Sequence, residues 1–441
     1  MSELEPRPDL RPRSELRARS GSPINKGLAR HGRLRKAGPV GTILKFVAAA
    51  LAVVLVSGAS VGAIAFNSLY SKKTTVQIYG ETQGPPPQIG AIAGGFNILI
   101  VGSDTRAGQG GIGGDAAQET SSLNDVNILL HVSQDQTNAV AISLPRDMVV
   151  GIPECVGSDG YTKGYSTEPI NVALSYGGLS CVVQTVTQLT GLPIQFAGMI
   201  TFQGVIAMSD VIGGVPVCIT APMVDPDTGI NLPAAGTYTL QGFDALAFLR
   251  SRHGVGDGSD LTRISSQQVF LSSLVRTLKS SNTLNDYKKL YGLANAALTS
   301  MTLSNNLSDI PTMVSIALAL KKIPLQRVTF VQYPGTTGNT EGVYAGKVKP
   351  DTYTGDQLMA LVAADQPFVL SAAGDGRGSQ ADPNAPVPTA AVPDPNATVD
   401  PSATPAPAPV DNSTLPVLSG VSGQTAADHT CSITQTSSGD G

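Results

Sequence analysis

Residues 46 to 66, FVAAALAVVLVSGASVGAIAF, carry no charge. A helix of that length spans about 30 Å, the thickness of a bilayer's hydrocarbon core. A cleaved signal peptide fits poorly, because such peptides are N-terminal and have shorter apolar regions. Here the run follows a long arginine-rich tail, so it reads as a membrane anchor. Of 29 basic and 33 acidic residues, 11 basic and 4 acidic lie up to Phe66, which leaves 18 and 29 beyond it. Arg30, Arg33, Arg35, Lys36 and Lys45 precede the span, against Lys72 and Lys73 after it. The positive-inside rule puts the N-terminus in the cytoplasm and everything after Tyr70 outside. The basic tail therefore reads as a topology signal touching membrane lipid, with no nucleic-acid partner expected.

The cysteines agree with an oxidising location. All four, Cys155, Cys181, Cys218 and Cys431, lie after the span, and no CxxC occurs. An even number outside the membrane suits disulfides. Three pairings are possible. Cys155 with Cys181 is preferred, because it closes a loop-rich insertion between two elements, and Cys218 would then tie down Cys431.

Composition divides the chain further. Residues 1–45 form the basic tail and 46–66 the transmembrane helix. Residues 67–94, with QGPPPQ, read as an extracellular linker, and 95–370 as the folded domain. Residues 371–441 turn to Gly, Pro, Ala and Thr, which cannot bury a core and should stay flexible or extended. That tail ends in a segment around Cys431 that would fold back if the cysteine is bonded.

Within 95–370, FNILIVG, VNILLHVS and NAVAISL read as strands buried on both faces. SCVVQTVTQLTG and FQGVIAMSDVIGG read as helices ending at Gly191 and Gly213. LQGFDALAFLRSRH reads as a short helix running into a strand. SDLTRISSQQVFLSSLVRTLKS is an amphipathic helix with Ser259 or Asp260 as N-cap. The fold class expected is α/β: a layered α-β-α domain with a central mixed sheet, behind a single transmembrane helix.

The charges fall at the ends of these apolar elements. Asp104 and Arg106 close the first strand and Asp125 opens the second. Arg146 and Asp147 follow the third, Arg250 and Arg252 alternate in FLRSR, and Arg263 and Gln267 share a helix face. Each alone reads as a surface ion pair. As a set they point to an anion, since two guanidinium groups at about 4 Å repel by about 4 kcal/mol at an effective dielectric near 20. Arginine suits bidentate phosphate recognition, and two carboxylates beside phosphate suit Mg²⁺. The implied chemistry is phosphoryl transfer on a pyrophosphate.

NILIVGSDTR, Asp125 ahead of a strand, ISLPRDM, GLPIQFAGMITFQGVIAMSDVIGGVPVCI, LQGFDALAFLRSRH and GSDLTRISSQQ, in that order, resemble the LytR–CpsA–Psr family. The resemblance covers about residues 95 to 280, and more loosely extends to 370. It implies an enzyme that transfers an anionic glycopolymer from a polyprenyl-pyrophosphate carrier to peptidoglycan outside the membrane. By motif, Asp104 and Asp125 would hold Mg²⁺. Arg106, Arg146, Arg250, Arg252, Arg263 and Gln267 would hold the pyrophosphate, with Arg146 stabilising developing charge. Asp104 or Asp125 would act as base where metal contact allows. The chain departs from the family pattern at Leu123-Asn124, where Arg-Ser is usual, and at Ser266, where an arginine is frequent. The Gly-rich loop 107–122 reads equally as a lid or a surface loop.

The helices VIAMSDVIGG and IPTMVSIALALKKI would line an isoprenoid tunnel or simply pack as core. His131 reads as a satisfied core or edge histidine, while His253 follows the arginine pair. Other readings are a non-catalytic wall-binding protein, a hydrolase side activity with water as acceptor, and a transcriptional attenuator. The last is disfavoured, because no helix-turn-helix pattern precedes the span.

Overall fold

The first helix, α1 (Pro39–Tyr70), is longer than the uncharged run and takes in Lys45. Proline is tolerated at its start, where no intrahelical N–H bond is lost. Its stretch Val40–Ser57 has a mean hydropathy of 2.3, and every side chain in it is exposed. The helix is long and apolar enough to cross a membrane. The computed structural model describes residues 39–70, 73–82, 92–106, 109, 112, 122–157, 160–280, 287–385 and 412–435. Most of the basic tail, most of the Gly-rich loop and the Pro/Ala/Thr run 386–411 lie outside the described residues.

Among the described residues, the globular unit has twelve principal strands and seven helices. In chain order they are β1 (Thr74–Val76), β2 (Phe96–Ser103), β3 (Asn124–Val132), β4 (Ala139–Leu144), α2 (Ala173–Thr190), β5 (Phe196–Ile200), α3 (Phe202–Ile212), β6 (Val215–Ile219), β7 (Gly236–Leu240), α4 (Gly242–Arg250), α5 (Asp260–Ser280), α6 (Tyr287–Ser300), β8 (Met301–Ser304), α7 (Ile310–Lys322), β9 (Val328–Gln332), α8 (Thr352–Ala363), β10 (Ser379–Ala381), β11 (Gly423–Thr425) and β12 (Thr430–Ser432). The main sheet runs β1-β8-β5-β2-β3-β4-β9-β11 and is mixed: β2 pairs antiparallel with β3 and parallel with β5. A smaller sheet runs β7-β6-β12-β10.

The strands' alternation sorts side chains into two cores. Leu99, Val101, Leu129 and Ile142 face one side, where Val182 and Val186 of α2 and Leu358 and Val362 of α8 cover them. Phe96, Ile98, Val132 and Ala141 face the other, against Leu298 of α6 and Ile316 of α7. This is the layered α-β-α arrangement that the strand pattern implies, because a sheet apolar on both faces needs helices on both. A third core joins Val217 and Ile219 of the small sheet to α4 and α5, with Phe248 and Phe270 stacked 6.3 Å apart.

The structure departs from the domain boundaries expected at 95 and 370. β1, from within the linker, pairs with β8, and Lys73 Nζ donates to Ser308 Oγ. At the other end, β11 extends the main sheet beside β9, and β12 lies between β6 and β10. Residues 412–435 are therefore part of the fold, not a flexible end. Cys155–Cys181 and Cys218–Cys431 are both disulfides. The second explains the return of the chain, since Cys218 and Cys431 are cross-strand partners on β6 and β12.

Candidate active site

Antiparallel pairing of β2, β3 and β4 brings the end of β2, the start of β3 and the end of β4 to one sheet edge. A register shift between Gly102 and Ser103 breaks the ladder there. Gly102 is required at this point, because an added Cβ would stand 2.9 Å from the Val126 Cβ. Asp104 follows. Its Oδ1 accepts from Leu123 N at 2.7 Å, and its own N–H donates to Leu123 O at 3.2 Å. The carboxylate thus closes the base of the long loop between β2 and β3.

Asp125 opens β3, with its Oδ1 2.5 Å from Arg146 Nη1. Arg263 Nη2 donates to the Asp125 carbonyl at 2.9 Å. Arg146 Nε lies 3.6 Å from Asp147 Oδ2 and 3.8 Å from Asp260 Oδ1, and its backbone N–H donates to Asp260 Oδ2 at 3.2 Å. Burial works against the Arg146 charge, yet Asp125, Asp147 and Asp260 together hold its pKa above the ordinary arginine value.

Asp260 is the site residue that sequence reasoning missed, having offered it only as an alternative to Ser259 for the cap of α5. Ser259 caps α5, accepting from Thr262 N at 3.3 Å. That leaves the Asp260 carboxylate free to turn inward. Its Oδ1 lies 2.5 Å from Arg263 Nη2 and 3.6 Å from Arg252 Nη2, ion-pair contacts without an aligned hydrogen bond. The signal was present in GSDLTR, where aspartate and arginine stand one turn apart.

Arg250 and Arg252 do not alternate along a strand. Arg250 is the last residue of α4, and extended Ser251 separates it from Arg252. The chain leaves the helix at this point because Asp225 holds the turn: its Oδ2 accepts from Ser251 Oγ at 2.7 Å and from Arg252 N at 3.0 Å. Arg250 lies over the Phe202 ring, 4.4 Å from its centroid. Burial lowers the pKa of both arginines; for Arg252, Arg263 and Arg146 lower it further. Gln267 Nε2 donates to Leu249 O at 2.9 Å, tying α5 to α4.

Asp125, Arg146, Arg250, Arg252, Arg263 and Gln267 line one cavity of about 620 Å³. Its remaining wall is largely apolar, with Ile128, Val205, Met208, Phe270 and Leu274 among its residues. Asp104 and Arg106 stand at the sheet edge and are not among the lining residues. Arg106 is close enough to Arg250 to lower its pKa. α3 contributes to the cavity as expected of VIAMSDVIGG, whereas Ile316 and Ala319 of α7 pack in the core beneath the sheet. Among the described residues, Arg146 Nε, Arg252 Nη2 and Arg263 Nε are buried without a hydrogen-bond acceptor. Arg146 Nε and Arg252 Nη2 face carboxylates at 3.6–3.8 Å, too far for a hydrogen bond, so these buried N–H groups keep donor capacity that an anion could use.

The two departures in the motif have structural explanations. Asn124 is fully buried: its Nδ2 donates to Asn127 Oδ1 and Ile170 O, and its Oδ1 accepts from Leu174 N at 3.1 Å, bracing the start of α2. Ser266 Oγ meets Ser432 Oγ at 2.9 Å, where a longer side chain would displace β12. His131 is a satisfied core histidine, with Nδ1 2.8 Å from Asn97 Oδ1 and Nε2 2.9 Å from Asp365 Oδ1. His253 is exposed at the cavity mouth, 3.8 Å from Asp227.

The globular unit is a three-layer α/β domain whose largely apolar cavity is also lined by a cluster of arginines. Residues 64–357 match the LytR_cpsA_psr family, and the chain belongs to it. It is 30% identical over 282 residues to the cell wall biosynthesis protein LcpA of Corynebacterium glutamicum, covering 58% of this chain and 53% of that protein. It is 26% identical over 315 residues to the polyisoprenyl-teichoic acid–peptidoglycan teichoic acid transferase TagT of Bacillus subtilis, covering 69% and 89%. The aligned stretch spans about half the length of the two corynebacterial relatives LcpA and LcpB. Among solved structures, the protein gbs0355 from Streptococcus agalactiae shares the fold, with a TM-score of 0.50 and 18% identity over 62% of this chain and 88% of that one.

Proposed function

We propose that this chain is a membrane-anchored phosphotransferase. It would move an anionic glycopolymer from a polyprenyl-pyrophosphate carrier to peptidoglycan, with the N-terminus cytoplasmic and the catalytic domain outside. One observation carries the reading: a largely apolar cavity is also lined by arginines with buried N–H groups that find no hydrogen-bond acceptor among the described residues. An isoprenoid fits the cavity, and its pyrophosphate fits the guanidinium groups.

In this reading Arg250, Arg252 and Arg263 bind the pyrophosphate oxygens, Arg106 approaches from the sheet edge and Gln267 fixes α5 against α4. Arg146, braced by Asp125 and Asp260, neutralises charge that develops as the bond breaks. An acceptor hydroxyl attacks the phosphorus that bears the glycopolymer. The new P–O bond forms as the bond to the carrier phosphate breaks, and polyprenyl phosphate leaves. The hydroxyl proton passes to a carboxylate or to solvent, since an arginine does not readily give up its proton. Water in place of the hydroxyl would give pyrophosphate hydrolysis as a side activity.

The donor set fits Mg²⁺: Asp125 offers carboxylate oxygen inside the cavity and Asp104 at the adjacent sheet edge, the hard ligands this ion takes together with phosphate oxygens. Bound there by Asp104 and Asp125, Mg²⁺ would add further charge neutralisation at the phosphates.

Full-length protein in detergent, given Mg²⁺ and a polyprenyl-pyrophosphate-linked glycopolymer with peptidoglycan fragments, should release polyprenyl phosphate and form the conjugate. Asp125→Ala and Arg252→Ala should lose both products. Wild-type protein that binds the donor but never turns it over would identify a binding protein instead.

A further inference from the structure

The loop between Arg252 and Asp260 joins two mounts of the arginine cluster. It contains Gly254, Gly256 and Gly258, the last two with φ of +48° and +78°. Three glycines in five residues give this loop more conformational freedom than any neighbouring segment of ordinary composition. It is held from outside. Gly256 N donates to Ile433 O at 2.9 Å, and Gln435 N donates to Gly254 O at 3.0 Å. Val255 and Thr434 form an antiparallel bridge between these two bonds.

The C-terminal segment that does this is itself fastened. Ile433 N donates to Gly378 O at 3.0 Å, and Thr434 N to Thr220 Oγ1 at 3.2 Å. Ser432 Oγ meets Ser266 Oγ on α5, between Arg263 and Gln267 in sequence. Packing leaves little slack: a Cβ on Gly378 would come within 2.5 Å of Thr262 O, and one on Gly256 within 2.6 Å of Arg377 O. All of these strap residues lie beyond the stretch 64–357 that matches the family.

We propose that residues Ile433–Gln435 form a positioning strap. It fixes the glycine loop so that Arg252 and, through Asp260, Arg263 face the cavity in the arrangement that binds a pyrophosphate. The proposal rests on the donor reading for its consequence, but the strap's hold on the loop can be measured without it. A stop after Ser432 removes the strap yet keeps Cys431, its disulfide and β12. Gln435→Pro removes the N–H that Gly254 O accepts and keeps Ile433 and Thr434 in the chain.

The test uses full-length protein in detergent, with geranyl pyrophosphate as probe. Hydrogen exchange at residues 253–258 should be faster in both variants, most in the truncated one. If the competent loop arrangement falls to about one tenth occupancy, the apparent Kd for geranyl pyrophosphate rises about tenfold. The melting temperature should stay close to wild type, which separates positioning from general support. Unchanged exchange at 253–258 overturns the strap whatever the affinity does. Faster exchange with unchanged affinity overturns its positioning role. Wild-type protein that fails to bind the probe overturns the donor reading, while exchange still decides whether the strap holds the loop.

Discussion

Asp260 Oδ1 lies 2.5 Å from Arg263 Nη2, one turn along the same helix, and both side chains are almost wholly buried. The same carboxylate faces Arg252 and Arg146 at 3.6 and 3.8 Å. One carboxylate therefore touches three cations, of which Asp125 and Asp147 pair with Arg146 alone. Asp260→Asn keeps the shape and removes the charge. Breaking a buried pair by deleting one partner costs about 3–5 kcal/mol, so the variant should melt well below wild type. Pyrophosphate should then raise its melting temperature more than that of wild type, because the added anion replaces the lost one. Equal shifts in the two proteins would mean that Asp260 does not set the charge of this site.

Arg250 should tolerate neither alanine nor lysine. Its guanidinium stacks on Phe202 and reaches the cavity from the end of α4. Hydrogen bonds to charged groups contribute about 1.5–3 kcal/mol. Arg250→Ala should therefore weaken binding of a polyprenyl pyrophosphate by roughly ten- to a hundredfold. Arg250→Lys should recover part of this, since a point charge lacks the planar fork. Calorimetric titration of both variants would check it. Full recovery with lysine would show that charge alone matters at this position.

What the sequence made legible follows from periodicity. β2, β3 and β4 are continuous apolar runs, and α5 carries a 3.6-residue repeat, so these elements and the charges at their ends could be placed. FLRSR misled because the alternation of Arg250 and Arg252 imitates a strand, when the extension is confined to Ser251 and imposed by Asp225 from a distant hairpin. The inward turn of Asp260 depended on which of two adjacent polar residues capped α5, a choice made by contacts with Arg146 and Arg252. β1, β11 and β12 are three residues each, too short for any period, and their pairing is non-local.

Asp225 is the support beneath the arginine turn, and its loss should be felt in acid. Burial raises its pKa. The hydrogen bonds from Ser251 Oγ, Arg252 N and Asp227 N and the nearby His253 outweigh this and leave it below 3.8. With the folded pKa depressed, its stabilising contribution is fully present above about pH 4 and is lost as pH falls through the lower, folded value. Asp225→Ala should be destabilised at pH 7 by about 1–3 kcal/mol for each donor left buried and unpaired. The gap between variant and wild type should narrow as pH drops below 3.8. Urea unfolding across pH 3 to 7 would measure this. A gap that stays constant through that range would mean the carboxylate's charge contributes nothing.

The cavity's apolar wall makes a different prediction from its arginines. Met208 on α3 lines it together with Val205, Phe270 and Leu274. Met208→Trp would fill space that an isoprenoid chain needs. Each buried methylene is worth about 0.8 kcal/mol, so displacing two of them should weaken a geranylgeranyl pyrophosphate by roughly tenfold. Inorganic pyrophosphate reaches only the guanidinium groups and should bind the variant as it binds wild type. Competition between the two ligands, measured on both proteins, separates head from tail. If Met208→Trp weakens both ligands alike, the isoprenoid gains nothing from the cavity that inorganic pyrophosphate lacks, and the cavity is not the seat of the chain. If it weakens neither, the isoprenoid lies elsewhere on the protein.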